Sequence, residues 1–283
     1  MKYIQWKKYP GNTTQIHMKE TPYLSFKALD RIGFVRHGFS TRLGGISEGH
    51  LTSMNLGWER GEARENVVKN HEIIGKAIGF DPRNVVTSHQ THTTNVVEVT
   101  KEDRGKGVYF PREFENVDGL VTNDPNVVLA TYFADCVPLY FVDVKQKAIG
   151  LTHSGWRGTV GKIGMMTIKK MQECFGTKPE DLVVCIGPSI CQDCYEVSKD
   201  VADEFIKAFP GHKEELLKER KNEKYLLDLW RSNELIFQEA GVLPENIHTT
   251  DLCTCCNPQV LFSHRASKGK RGNLAAFLEI SGE

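Results

Sequence analysis

The chain has 283 residues, with 36 Lys+Arg against 36 Asp+Glu, so its formal net charge is +0; 40% of it is apolar, 25% charged and 9% aromatic. That balance is typical of a folded globular protein and excludes intrinsic disorder. A sequence pI near 7.1 gives no global attraction to nucleic acid or to an anionic membrane, and no run of about 18 apolar residues offers a membrane span. The opening MKYIQWKKYPGN has neither an apolar core nor a small-residue cleavage site, so no secretory signal is expected. Without export, the 8 cysteines point to a reducing, cytoplasmic setting. There, thiols serve as buried small residues, metal ligands or nucleophiles.

In chain order, the first notable segment is the polar loop Ser40-Thr41-Arg42-Leu43-Gly44-Gly45, followed by Asn55-Leu56-Gly57. Val67, Ile74 and Ile78 then share one face of a helix. That helix runs into Gly79-Phe80-Asp81-Pro82-Arg83-Asn84-Val85, a pattern that returns as Gly176-Thr177-Lys178-Pro179-Glu180-Asp181-Leu182 and as Gly241-Val242-Leu243-Pro244-Glu245-Asn246-Ile247. It predicts a helix capped by a left-handed Gly, a Pro that stops it, and a strand that begins at once. Ile163, Met166 and Met171 share a second helical face; Val201, Phe205 and Phe209 share a third. The charged stretch from His212 to Lys224 reads as a solvated helix face or loop.

Strands are predicted at 85–88, 95–99, 119–122, 127–133, 138–143, 148–153, 182–187, 260–264 and 274–280. Several are near-continuous apolar runs, as for strands covered on both faces. Three fall between Val127 and His153, which suggests local antiparallel pairing. No linker or low-complexity tract divides the chain. The expectation is one α/β domain over residues 1–283, with mixed sheets flanked by helices.

The polar residues of interest lie at strand ends and turns. His92, Cys136 and His153 form a donor set that suits zinc, leaving a fourth position open; singly, each is as compatible with a structural role. Cys191-Gln192-Asp193-Cys194 and the dense Cys253-Thr254-Cys255-Cys256 offer a competing structural zinc site. The pairs are far apart in sequence, however, and the second is read as lacking standard spacing, so free thiols are the plainer expectation. Gly155-Trp156-Arg157-Gly158 ends a strand and opens a helix, which makes an anion site of backbone N–H groups with Arg157. Arg42 beside Gly44 and Gly45 offers a second clamp. Neither has the spacing of a P-loop or a dinucleotide fingerprint.

Gln90-Thr91-His92, Ala134-Asp135-Cys136-Val137-Pro138, His153-Ser154-Gly155-Trp156-Arg157-Gly158 and Ile186-Gly187-Pro188-Ser189-Ile190 together resemble the YfiH purine nucleoside phosphorylase family, formerly described as multicopper polyphenol oxidoreductase (laccase-domain) proteins. The early Arg42 loop, Cys253-Thr254-Cys255 and Phe262-Ser263-His264-Arg265 match as well. The turn reads His-Ser-Gly where His-Ala-Gly is commoner, and Arg265-Ala266-Ser267-Lys268 lacks the second Arg and the usual Asp.

The resemblance implies an α/β/β/α sandwich and a metal held by His92, Cys136 and His153: zinc, with copper possible. It implies phosphorolysis of adenosine, inosine and S-methyl-5'-thioadenosine, with adenosine deamination as a second activity. Phosphate and nucleoside contacts are then expected from Arg42, Arg157, Gly155 and His89. The expected partners are purine nucleosides and phosphate, with no nucleic acid and no membrane, in a monomer or homodimer. Two rival chemistries stay open: a cysteine hydrolase or deamidase with Cys136 as nucleophile and His153 as base, and a copper-dependent polyphenol oxidase. The second fits poorly, because multicopper centres need many paired imidazoles and only His89 and His92 stand close among 10 His.

Overall fold

The computed structural model describes residues 4–8 and 11–282. The opening segment and the two ends of the predicted domain therefore lie partly outside the described residues. In chain order the strands are β1 Thr14–His17, β2 Tyr23–Phe26, β3 Val35–Ser40, β4 Val85–Thr87, β5 Val96–Glu98, β6 Gly119–Thr122, β7 Val128–Phe133, β8 Val137–Asp143, β9 Ala148–Ser154, β10 Leu182–Ile186, β11 Glu196–Ser198, β12 Leu217–Glu219, β13 Lys224–Leu227, β14 Ile247–Thr249 and β15 Leu274–Ile280. The helices are α1 Lys27–Asp30, α2 Arg64–Ile78, α3 Trp156–Val160, α4 Ile163–Phe175, α5 Lys199–Ala208, α6 Lys213–Leu216 and α7 Leu229–Glu239.

One six-stranded sheet has the order β1-β2-β3-β15-β7-β4 and a second has β14-β10-β8-β9-β6-β5; β11-β13-β12 form a small third. Side-chain alternation along single strands shows why the long runs are buried at every position and largely apolar. On β7, Leu129 and Phe133 face the second sheet, while Val128, Ala130 and Tyr132 face α2. On β8, Tyr140 and Val142 point between the sheets, while Val137, Leu139 and Phe141 meet Ile163, Ile168, Met171, Ile236 and Phe237 from α4 and α7. The result is the expected single-domain α/β fold: helix, sheet, sheet, helix. Each wholly buried apolar side chain, Phe141 for example, contributes on the order of 2–3 kcal/mol.

The recurring connection behaves as its residues dictate. α2 ends on Gly79 at φ 104° and α4 on Gly176 at φ 70°. One 3-10 turn follows each time, at Pro82–Asn84, Pro179–Asp181 and Pro244–Asn246, and leads into β4, β10 and β14. The carboxylate of Asp81 caps the first turn through the Arg83 N–H at 2.9 Å. The third case is fed by α7, not by the helix that carries Val201 and Phe205. That helix is α5, whose Phe205 joins Phe209 in the core beneath the second sheet.

The structure corrects four expectations. Residues 260–264 form no strand: Val260 and Leu261 are buried, but both backbone N–H groups bond to the Asn257 carbonyl, so this apolar run plugs the core as a turn. The stretch from His212 to Lys224 is not merely solvated, because α6 and β12 bury Leu216 and Leu217. β1, β2 and β3 were not foreseen, nor was the third sheet of β11, β13 and β12. Finally, β7 does not pair with β8. It lies between β15 and β4 in the first sheet, so of these three strands β8 and β9 alone pair as a hairpin. The chain therefore passes from one sheet to the other at Ala134-Asp135-Cys136, and again between β4 and β5, through residues 88–95.

Candidate active site

These two crossings and the end of β9 place His92, Cys136 and His153 together. Their candidate ligand atoms all lie within 4.8 Å of one another. Sγ of Cys136 is 4.0 Å from Nε2 of His92, and the two imidazoles meet edge to face with centroids 4.9 Å apart. Both crossing turns use left-handed backbone, φ 64° at His92 and φ 85° at Asp135, a conformation uncommon outside Gly.

Asp118, at the head of β6, holds that turn. Its Oδ1 accepts the His92 N–H at 3.1 Å, and its Oδ2 accepts the N–H groups of Thr91 (3.1 Å) and Thr93 (2.8 Å) and the Thr93 hydroxyl (2.9 Å). Oδ1 also binds Nδ1 of His153 at 2.8 Å, which leaves Nε2 of His153 for the centre. Burial works to raise the Asp118 carboxyl, but the hydrogen bond and charge of His153 outweigh it and hold the group below its ordinary value. Burial likewise works against the Cys136 thiolate. His153 and then His92 reverse the effect and bring the thiol down to about 6. His153 is raised to about 9, against its burial, by Cys136 and Asp118. Asp118 was missed at the level of sequence; the available signal was an acid set inside the apolar run Val117-Asp118-Gly119-Leu120-Val121.

Gly155 closes the third side. A Cβ there would stand 2.6 Å from Cδ2 of His92 and 3.3 Å from Sγ of Cys136, so the backbone approaches the cluster as only Gly allows. The next residues form the short helix α3, where Arg157 lies over the Trp156 ring at 4.3 Å. Asp135 has no free oxygen. Oδ1 takes the Thr254 hydroxyl and Oδ2 the Arg265 N–H, both at 2.7 Å, while its carbonyl accepts the Ile190 N–H at 3.0 Å. The motifs around Ile186–Ile190 and Phe262–Arg265 thus brace the turn that carries Cys136.

A cleft opens over the cluster, lined by Trp58, Tyr132 and Ala134 and by the cationic Arg60, Arg112 and Arg271. His89 lines it too, bonded through Nδ1 to Glu115. Arg60 reaches Oδ1 of Asn273 through Nε at 2.9 Å, and Arg271 bonds to the same oxygen. Among the described residues neither arginine pairs with a carboxylate, and Nε of Arg271 is buried without a partner. Burial first, then the charge of Arg60, lowers Arg271 to about 10. Two partly desolvated cations held together in this way form an anion site.

Arg42 does not join them. Its guanidinium donates to the carbonyls of Thr52 (3.0 Å) and Pro258 (2.8 Å) and stacks on Phe262 at 4.5 Å. The contribution of its loop comes through Asn55, whose Oδ1 accepts the Asn273 N–H at 2.9 Å.

A second group of donors also assembles. Cys191, Cys194, Cys253 and Cys256 bring their sulfurs within 4.8 Å of one another. The second pair is thus Cys253 with Cys256, a C-x-x-C spacing that the intervening Cys255 obscured.

A mixed two-sheet α/β fold carrying a His-Cys-His cluster under a cationic cleft defines a class, and comparison places the chain within it. The family model described as multi-copper polyphenol oxidoreductase laccase matches residues 36–281, and the chain belongs to this YfiH-type family. It is 38% identical to the purine nucleoside phosphorylase YlmD of Bacillus subtilis (strain 168) over 242 residues, which is 85% of this chain and 87% of that one. It is 31% identical to a purine nucleoside phosphorylase of Bacteroides thetaiotaomicron over 263 residues, 93% of this chain and 97% of that one. The crystal structure of YlmD from Geobacillus stearothermophilus superposes with a TM-score of 0.90 at 33% identity, covering 96% of this chain and 100% of the other. No helix among the described residues is long and apolar enough to cross a membrane.

Proposed function

We propose that this chain is a zinc-dependent purine nucleoside phosphorylase that acts on adenosine, inosine and S-methyl-5'-thioadenosine, releasing the purine base and ribose 1-phosphate (or, from the last, its 5-methylthio counterpart), with adenosine deamination as a second activity. The observation that carries this reading is the convergence of His92, Cys136 and His153 in a cleft that Arg60 and Arg271 also line. The relatives named purine nucleoside phosphorylase support it.

The donor set fits zinc. It offers two nitrogens and one sulfur, a thiol already biased toward thiolate, and a carboxylate bonded to the outer nitrogen of one imidazole. When bound, the ion supplies Lewis acidity at the open side of the cluster. The other parts of the chemistry belong to the chain. Arg60 and Arg271 hold phosphate and neutralise its charge as it approaches C1' of the ribose. Trp58, Tyr132 and Ala134 line the cleft beside the base, and their apolar edges exclude water from it. His89, at the rim and bonded to Glu115, donates to the nucleoside. Asp118 keeps His153 in one tautomer and one orientation.

Cys136→Ala tests the reading. The variant should lose metal and phosphorolysis together and keep its fold by circular dichroism, measured with a nucleoside panel with and without phosphate and products read by mass. Undiminished adenine release from metal-free variant protein would refute it. A cysteine hydrolase is the second reading, favoured by one observation: Asp118, His153 and Cys136 are also ordered as acid, base and nucleophile. Alkylation of Cys136 that zinc does not block would favour it.

A further inference from the structure

Outside the cleft, the structure holds a second cluster with the geometry of a ligand set. Cys194 lies in the 3-10 turn Gln192–Cys194 that follows β10, with Cys191 as that turn's N-cap; Cys253 and Cys256 follow β14. The two segments run side by side: Ser189 and Cys253 form a parallel bridge, and the Thr254 N–H donates to the Ser189 carbonyl at 3.1 Å. All four sulfurs lie within 4.8 Å of one another, Cys194 and Cys256 at 3.5 Å. Four thiolates around one tetrahedral ion, at about 2.3 Å each, stand roughly 3.8 Å apart. A cluster of several irons spreads its cysteine sulfurs much more widely.

The surroundings suit anionic sulfur. The N–H groups of Cys191 (3.3 Å) and Cys256 (3.5 Å) both point at Sγ of Cys253. The Lys7 ammonium reaches Asp193 at 3.1 Å and the Cys191 thiol, and Arg265 donates to the Cys194 carbonyl. Cys191 and Cys253 are buried, whereas Cys194 and Cys256 are half-exposed, so an ion has a way in. Cys255 stands outside the set.

We propose that Cys191, Cys194, Cys253 and Cys256 bind a single zinc ion as a structural site, separate from the centre at His92, Cys136 and His153. On binding, each thiol supplies its sulfur as thiolate and gives its proton to solvent. The ion joins the segment after β10 to the segment after β14. Thr254, between two of the ligands, bonds to Asp135, and Ile190, beside Cys191, bonds to the Asp135 carbonyl. The site therefore buttresses the turn that carries Cys136, and it does so whatever reaction the cleft performs.

The test counts metal in the full chain, purified and kept reduced. Wild type should bind two zinc equivalents, Cys136→Ala one, and the pair Cys194→Ser with Cys256→Ser one with a lowered thermal midpoint. Because the double variant can fail to fold, the decisive sample is Cys136→Ala loaded with cobalt, in which these four cysteines are intact. It should give the intense sulfur-to-cobalt charge-transfer bands of a tetrathiolate, and zinc should protect the four thiols from alkylation. A Cys136→Ala protein that binds no cobalt, or four thiols that alkylate equally fast with and without zinc, would overturn the proposal. So would recovery of the four cysteines as disulfides from freshly isolated protein.

Discussion

Asp118 and His153 are bonded to each other twice. The Asp118 carboxylate takes Nδ1 of His153 at 2.8 Å, and the Asp118 carbonyl takes the His153 N–H at 2.7 Å. Through its other contacts the same carboxylate fixes the turn that carries His92. One buried acid thus orients the His153 imidazole and anchors the backbone that carries His92, while the third donor arrives on a separate crossing between the sheets.

Asp118→Asn should therefore act on the metal before it acts on the fold. The amide replaces one acceptor oxygen with a donor and faces N–H groups that have lost their partner. Zinc affinity should fall by about 10–100-fold, as read by competition with a chelating dye. Unchanged affinity would show that the imidazoles are held by other contacts.

Gly155→Ala offers a steric test of the same centre. The backbone at Gly155 has an ordinary φ of −77°, so the added methyl meets no backbone strain. It meets the His92 ring instead. The His92 side chain is exposed, so its ring swings aside and leaves the cluster without straining the core. The variant should bind zinc weakly while its thermal midpoint in the absence of metal moves little.

The two arginine environments separate phosphate binding from stability. Arg271→Ala removes a desolvated cation from the cleft and should raise the KM for phosphate by at least about tenfold, the equivalent of one charged hydrogen bond. Arg42→Ala strips two carbonyls and Phe262 of their partner; it should lower the thermal midpoint and leave that KM near wild type. Steady-state kinetics with varied phosphate, beside thermal unfolding, distinguish the two.

His71 makes the fold acid-sensitive. It is wholly buried between the Val67 carbonyl (2.8 Å) and the Tyr132 hydroxyl (3.0 Å), and burial lowers it from its ordinary 6.5 to about 4. Below the unfolded value the unfolded chain takes up a proton that the native chain refuses. Stability should thus fall as pH drops from about 6.5 toward 4, by up to about 1.4 kcal/mol per pH unit for this group, and flatten below 4. Urea unfolding across that range should show the slope, and His71→Gln should reduce it. Because Tyr132 lines the cleft, this hydrogen bond also holds one of its walls.

Much of the architecture was legible in the sequence because it follows from local chemistry. A Gly that tolerates positive φ, a Pro that cannot continue a helix and an apolar run after it produce the same connection three times, without reference to the rest of the chain. Strands covered on both faces show themselves as unbroken apolar runs. The motifs around His92, Cys136 and His153 were likewise visible as polar residues at strand ends. Tertiary structure decided the pairings. β7 leaves its sequence neighbour for the other sheet, and that crossing brings Cys136 to two histidines. Asp118, Arg60 and Arg271 were not singled out in the sequence, and Arg42 reads there as a ligand clamp. Their roles depend on which carbonyls, carboxylates and rings lie within hydrogen-bond reach, and distance along the chain carries no information about that. The four cysteines show the same division: C-x-x-C spacing is a local fact, but the meeting of two such pairs depends on β10 and β14 lying side by side.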